Sequence, residues 1–469
     1  MNLIFYDLET TGISKHFDQI LQFGSLRADE ALCEIDRFEI RSRLLPHVVP
    51  SPMALHVTGQ SIEAVLDPAR PSHYEMMSAI RQKLARWCPA IFLGYNSVSF
   101  DEEFLRQAFY QNLHPPYLTN TGGSGRADVL TLVRAISILQ PDLLSVPRTE
   151  KGRPVFNLDR LAPANNFPHL NAHDAMADVE ATIHLCRIIR DGAPLVWERF
   201  LSFSRKPAVL RFLEEETAFL QFERGGRSPR VVTALGASPS QGNTHYCLDL
   251  AAGLDELRGL NDEELATRLR KSPRLVRKVK INAAPMLLPL SETPEFLLGG
   301  ITEADLLARA GAVREDPELV ARLIAASEGG ATVYEPAVHV EQQLYEGFWP
   351  DADARLLERF HRVEWEDRVA ITSALSDPRL RRLARRLVLF ERPDLLAEDH
   401  RVRLADEMRC RVLGTSEQPG PWLTVPAAIE VIDKLLETVG EDGRERMASY
   451  KAHLKCLFSD GGRPCDGIA

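Results

Sequence analysis

The chain has 469 residues, 45% of them hydrophobic and 26% charged, and its 56 basic and 66 acidic side chains leave a net charge of −10. This length implies two to four domains, and the composition is that of a soluble globular protein without long disorder. Each stretch divided at residues 193 and 350 is net acidic, which excludes a protein that holds duplex DNA by bulk charge, although an acidic protein can still carry a local positive groove.

The opening residues, MNLIFYDLETTG, carry Asp7 and Glu9 and no basic segment, so they do not read as a signal peptide. Leu3–Tyr6, Ile20–Leu26 and Ala90–Gly94 are short apolar runs of β character. Tyr74–Trp87, Asp101–Tyr110, Val129–Leu139 and Ala175–Arg190 have helical spacing. This mixed order predicts an α/β domain with a central sheet over residues 1–193. Asp191-Gly192-Ala193-Pro194 reads as a linker. Residues 194–350 mix β-like runs at 230–233 and 246–250 with helical pieces at 261–271 and 303–327. Residues 351–458 are helical in pattern, and 459–469 form a disordered tail. No run approaches the roughly 18 apolar residues of a membrane span. Seven cysteines with no CxxC pair argue against a zinc ribbon or a disulfide framework and place the chain in a reducing cytoplasm.

Asp7 and Glu9 stand at i and i+2 of the first strand, so both carboxylates point to one face. Paired like charges repel unless a cation lies between them, and oxygen ligands suit Mg²⁺ or Mn²⁺. Taken alone, the pair also reads as two exposed acids at a strand end. Asp101 opens a helix after an apolar strand, where it is either a site residue or a simple cap. Asn171-Ala172-His173-Asp174-Ala175-Met176-Ala177-Asp178 opens the last helix of the domain. His173 and Asp178, five apart, would face different directions on a continuous helix, unless His173 lies in the preceding loop.

The order Asp-x-Glu, Asp, His-x4-Asp resembles the histidine-containing branch of the DEDD exonuclease superfamily, on a ribonuclease H-like fold. FYDLETTG, LGYNSVSFDEEF and NAHDAMADVEAT are similar to the exonuclease I family, as are Gly242-Asn243-Thr244, Val279-Lys280-Ile281-Asn282 and Gln343–Phe348. The resemblance implies an α/β exonuclease domain, an SH3-like α+β domain and a C-terminal helical domain. It implies a single-strand-specific 3′→5′ exodeoxyribonuclease of DNA repair that releases 5′-mononucleotides by two-metal hydrolysis. Asp7, Glu9, Asp101 and Asp178 would hold two Mg²⁺ ions, with Mn²⁺ able to replace them. His173 would take the proton of the attacking water, a role imidazole chemistry suits.

By the same resemblance, Glu9 and Asn157 contact the terminal nucleotide, and Arg106, Tyr117 and Arg134 contact DNA. Asn157 stands where related enzymes can carry a basic residue, and an amide can still donate to phosphate. Arg and Tyr suit a single strand, whose backbone needs charge and whose bases need stacking partners. The basic run 268–280 and the Arg-rich helix Arg379–Arg392 are two candidate patches for DNA or for the acidic C-terminal tail of single-stranded-DNA-binding protein. The expected protein is a cytoplasmic monomer with no membrane contact. Two other readings are an RNA-trimming exoribonuclease of the same branch and a non-catalytic single-strand-binding adaptor. The roughly 275 residues beyond Pro194 weigh against the first, since RNA-trimming members are little more than the nuclease domain. The intact five-residue motif weighs against the second.

Overall fold

Leu3, Ile4 and Phe5 are fully buried on alternate faces of one strand, which makes β1 (Asn2–Thr10) the centre of a two-sided sheet. The computed structural model describes residues 1–169, 173–223, 228–328, 335–415 and 420–459. β1 pairs antiparallel with β2 (Ile20–Ala28), which pairs antiparallel with β3 (Glu34–Arg41). On its other side β1 runs parallel to β4 (Ala90–Gly94), and β4 runs parallel to β5 (Gly125–Asp128). The order is β3-β2-β1-β4-β5.

Leu3, Phe5, Leu26, Ile91 and Leu93 face the helices Val129–Leu139 and Ala175–Gly192. Ile4, Tyr6, Leu8, Phe23 and Phe92 face the helices His73–Trp87 and Asp101–Gln111. The first of these two begins with a reciprocal Ser72–Glu75 cap, which supplies partners for otherwise orphaned backbone donors.

The expected linker at Asp191–Pro194 is instead a tight helix–helix join. Gly192 ends one helix and Pro194 opens the next (Pro194–Ser202), a position where the missing proline N–H costs nothing. Ala193, Trp197 and Phe200 are buried there and continue the core of the first sheet into that of the second. The second sheet comprises β6 (Phe219–Gln221), β7 (Arg230–Ala237), β8 (Thr244–Asp249), β9 (Val276–Lys280) and β10 (Leu287–Pro289). Its order is β10-β6-β7-β8-β9, antiparallel throughout. The basic run 268–280 spans the end of a helix and edge strand β9, and Arg268 and Arg277 within it pair with Glu256 and Glu223.

The C-terminal helices, from Asp351–Phe360 to Glu441–Ser459, grip the first domain in two places. Leu357, Phe360, Leu380 and Leu383 pack with Tyr74, Tyr110 and Leu113, and Val425, Ile432, Met447 and Tyr450 pack with Leu21, Val49 and Leu55. The Arg-rich helix spans Pro378–Glu391, and its Leu380, Leu383 and Leu387 are buried as the apolar stripe predicts. Several of its arginines have internal partners: Arg379 meets Asp377, Arg382 meets Glu407, and Arg386 meets buried Glu341. Ser459 closes the last helix, and the remainder of the expected tail lies outside the described residues. Among the described residues, no helix is long and apolar enough to cross a membrane.

Candidate active site

The β1 end that carries Asp7 and Glu9 is where the helices Asp101–Gln111 and Ala175–Gly192 both begin. Asp101 is the first residue of its helix and only 4% exposed, and the N-cap is Phe100, so Asp101 is not the cap. Asp178 lies in the first turn of the other helix. His173 lies outside that helix, in a turn, exposed and at φ 67°, a left-handed conformation that histidine tolerates better than most residues. The loop position removes the angular conflict of the five-residue spacing. Glu9, His173 and Asp178 offer ligand atoms all within 4.8 Å of one another.

What brings the second helix to the sheet is a missing side chain. Gly24 on β2 pairs with Asp7, and a Cβ there would stand 2.8 Å from the carbonyl carbon of Ala175 and from Met176 N. Gln22, paired with Glu9, reaches across to the same place: its Nε2 donates to Asp174 Oδ2 at 2.9 Å. Asp174 caps the helix through the backbone N–H groups of Met176 and Ala177 and also accepts from Arg41 at 2.6 Å. Gly24, Gln22, Asp174 and Arg41 were not marked by the sequence, because their roles depend on strand register.

Three of the acids, Asp7, Glu9 and Asp101, are pushed above the usual carboxylate range. Burial, then Asp178, Asp101 and Asp174, push the Glu9 carboxyl up to about 9, with Arg41 opposing. Burial, then Asp101, Asp178 and Glu9, raise Asp7 well above the carboxylate range. Asp101 is raised as well, by burial first and then by Asp128 and Asp178. An all-oxygen cluster whose main instability is mutual repulsion fits hard divalent cations.

A histidine that the sequence reading missed completes the cluster. His169 Nε2 stands 2.8 Å from Asp178 Oδ1, with the His169 side chain 1% exposed. The motif drew attention to His173 alone, and nothing in the His169 spacing distinguished it.

The expected DNA contacts fall into different settings. Arg106 is buried at 7% exposure; its guanidinium donates to Glu102 at 2.8 Å and Glu103 at 3.2 Å and lies over the Tyr117 ring at 5.4 Å. It is therefore engaged inside the fold, while Tyr117 is half-buried. Arg134 lies over the Phe156 ring at 5.6 Å. Asn157 is exposed at the start of the helix Leu158–Ala164, and its side chain makes no capping bond.

Two family descriptions match the chain: "Exonuclease" over residues 4–186 and "Exonuclease I C-terminal domain" over residues 338–455. The chain belongs to the exonuclease I family. Exodeoxyribonuclease I of Escherichia coli K12 is 27% identical over 402 residues, covering 81% of this chain and 83% of that protein. The Haemophilus influenzae protein of the same name is 29% identical over 375 residues, covering 74% and 77%. Solved structures of family members superpose over nearly the full length. E. coli exonuclease I in complex with a dA16 oligonucleotide gives a TM-score of 0.85 at 23% identity, covering 97% of this chain and 99% of that one. A moderately thermophilic exonuclease I from Methylocaldum szegediense gives 0.83 at 24% identity, with the same coverage. At these identities the superpositions establish the exonuclease I fold.

Proposed function

We propose that the chain is a single-strand-specific 3′→5′ exodeoxyribonuclease that releases 5′-mononucleotides by metal-dependent hydrolysis. The observation that carries this reading is the convergence of Glu9, His173 and Asp178 within 4.8 Å, in the same charge cluster as Asp7 and Asp101. The oligonucleotide-bound relative supports single-stranded DNA as the substrate.

Asp7, Glu9, Asp101 and Asp178 would hold two Mg²⁺ ions, which Mn²⁺ could replace. When bound, the ions supply Lewis acidity for the attacking water and for the departing 3′ oxygen. His173, exposed on its turn, takes the proton of that water. Glu9 also faces the terminal 3′-hydroxyl, and the Asn157 amide, not used as a cap, donates to the terminal nucleotide. Tyr117 and Arg134 line the strand's path. Arg106, whose guanidinium lies over the Tyr117 ring, is the third DNA contact.

The assigned units are an exonuclease domain (1–193), an SH3-like domain (194–350) built on the second sheet, and a helical domain (351–458). The protein works as a cytoplasmic monomer in DNA repair and receives the tail of single-stranded-DNA-binding protein on a basic patch. The deciding experiment gives the pure protein and Mg²⁺ single strands of DNA or RNA and blunt duplex DNA, each labelled at the 5′ end. The expected result is stepwise shortening of the DNA strand from its 3′ end, with duplex and RNA poor substrates. Preference for RNA would favour an exoribonuclease, and binding without cleavage would favour an adaptor.

A further inference from the structure

We propose that His169 is a positioning residue that orients Asp178, an inference that rests on Asp178 being a metal ligand. His169 Nε2 and Asp178 Oδ1 are 2.8 Å apart, and neither atom has another hydrogen-bonding partner among the described residues. They are at hydrogen-bonding distance but off the ideal line, so rotation of the Asp178 carboxylate decides whether the bond becomes linear. The histidine side chain is 1% exposed and the aspartate 17%, so solvent does little to fix either group.

The ring is held from behind by an aromatic layer. Phe167 lies 6.3 Å from the His169 ring and 5.2 Å from the His184 ring, and His184 Nε2 sits 2.8 Å from the Asn165 carbonyl. A buried imidazole in such a place needs a polar partner, and among the described residues Asp178 is the one the structure places within reach.

The chemistry of the pair gives the role. Among the described residues, no arginine or lysine forms an ion pair with Asp178. An imidazole N–H at Nε2, 2.8 Å from Oδ1, can donate to that oxygen once the carboxylate turns into line. That leaves the second oxygen to turn toward Glu9 and His173, where the ligand atoms converge. Groups that orient a ligating side chain typically change metal affinity by about 10–100-fold when removed. The two histidines thus divide the work: exposed His173 serves the water, and buried His169 serves the ligand.

The test is calorimetric titration of the full chain with Mn²⁺, without DNA, for the parent, His169→Ala, His169→Gln and Asp178→Asn. A glutamine amide places a donor near the position of the imidazole Nε2. The expected result is binding weakened about tenfold or more in His169→Ala, restored to within about threefold in His169→Gln, and largely lost in Asp178→Asn. Binding by His169→Ala within about twofold of the parent overturns the proposal. So does a His169→Gln variant as weak as His169→Ala, which would mean the ring only packs. If Asp178→Asn binds Mn²⁺ like the parent, the assignment of the metal site fails, and the positioning role with it. A measurement on the parent is independent of variant folding. In the Mg²⁺-loaded protein, the ¹⁵N spectrum of His169 should report the proton on Nε2; a proton on Nδ1 alone overturns the proposal.

Discussion

Tyr6 Oη donates to Glu102 Oε2 at 3.2 Å, which ties the residue before Asp7 to the residue after Asp101. Two acids on separate elements are thereby held in register through their chain neighbours. Glu102 is the hub of this link. Its Oε1 accepts from Arg106 at 2.8 Å, Arg126 at 2.6 Å and Thr119 at 2.5 Å, all buried. Arg126 also reaches the Asn282 carbonyl at 3.4 Å, so the hub touches the second sheet's unit.

Removing one partner of a buried ion pair strands the other charge, at a cost of about 3–5 kcal/mol. Glu102→Ala strands the Arg126 guanidinium and leaves Arg106 with Glu103 alone, and should destabilise by about that amount in chemical denaturation. Tyr6→Phe removes one hydrogen bond and should cost only about 0.5–1.5 kcal/mol. Both variants should lose more turnover than metal-free stability alone explains, because the Asp7–Asp101 spacing relaxes. Full turnover in Tyr6→Phe would show that the link does not set that spacing.

The metal-free site should be a source of instability that grows with pH. Glu9 titrates near 9 in the fold, raised by burial and by Asp178, Asp101 and Asp174, so the native state binds a proton that the unfolded chain has already released above the ordinary carboxylate range. Stability from this group is full below the unfolded pKa and lost as pH rises toward 9. In EDTA, thermal stability should therefore fall from pH 5.5 to 8.5. Mg²⁺ should restore it, more strongly at high pH, and should release protons on binding. Asp7→Asn removes a carboxyl that is itself raised by burial, Asp101, Asp178 and Glu9, and so takes one raised group out of the cluster. It should flatten this pH dependence, leave the metal-free fold as stable or more so, and abolish nearly all hydrolysis. A parent protein whose melting point in EDTA rises across that range would contradict the charge reading.

The close approach at Gly24 makes a separate prediction. A methyl group there meets the backbone of Ala175 and Met176 at 2.8 Å, and backbone does not give way as a flexible side chain does. Overpacking of this kind costs about 1–3 kcal/mol. The displaced element carries Asp178, and a misplacement of about 1 Å can cost on the order of 100-fold in rate. Gly24→Ala should therefore lose turnover far out of proportion to its change in melting temperature. Gly259→Ala, where nothing lies within 4 Å, serves as the control and should keep its rate. Equal rates in the two variants would mean that the sheet absorbs the methyl elsewhere.

The elements that carry chemistry were legible because their residues are chemically conspicuous. Asp7 and Glu9 at i and i+2, Asp101 after an apolar strand, and His173 with Asp178 each mark a position regardless of what packs around them. β3 and β5 were missed for physical reasons. β3 reads EIDRFEIR, an edge strand with much of its surface in solvent, so its charges hide the β pattern. β5 is only GRAD, four residues that become a strand by pairing with β4. Arg106 is expected to contact DNA by the resemblance alone, and the ion pairs with Glu102 and Glu103 that bury it are not encoded in that resemblance. Gln22 and Gly24 depend on partners distant in sequence, which composition and spacing do not encode, and His169 stands only nine residues before Asp178, a spacing that no motif marks.

The seam between the first domain and the C-terminal helices should be acid-sensitive. His361 and His114 stack with ring centres 3.9 Å apart and planes within 13°. His361 Nδ1 meets Tyr74 Oη at 3.0 Å, its Nε2 faces the Leu113 carbonyl at 3.1 Å, and His114 Nε2 meets Ser78 Oγ at 3.0 Å. Burial, opposed by the Leu113 carbonyl and assisted by Arg368 and Arg81, lowers His361 to about 4. Burial, then His361 and Arg81, holds His114 well below the usual imidazole range. The unfolded chain thus takes up protons near pH 6.5 that the native seam refuses until about pH 4. Stability from His361 is complete above pH 6.5 and drains away between 6.5 and 4, by on the order of 2–3 kcal/mol. Protonating both rings would also place two cations face to face, beside Arg368. His361→Gln cannot charge, so its stability should fall less steeply over that interval than the parent's. The measurement is denaturant unfolding of both proteins at pH 7.5, 6.0 and 5.0, read from near-ultraviolet circular dichroism because Trp365 borders the seam at 5.4 Å from Tyr74. Parallel pH slopes for the two proteins would assign the acid sensitivity to groups outside the stack.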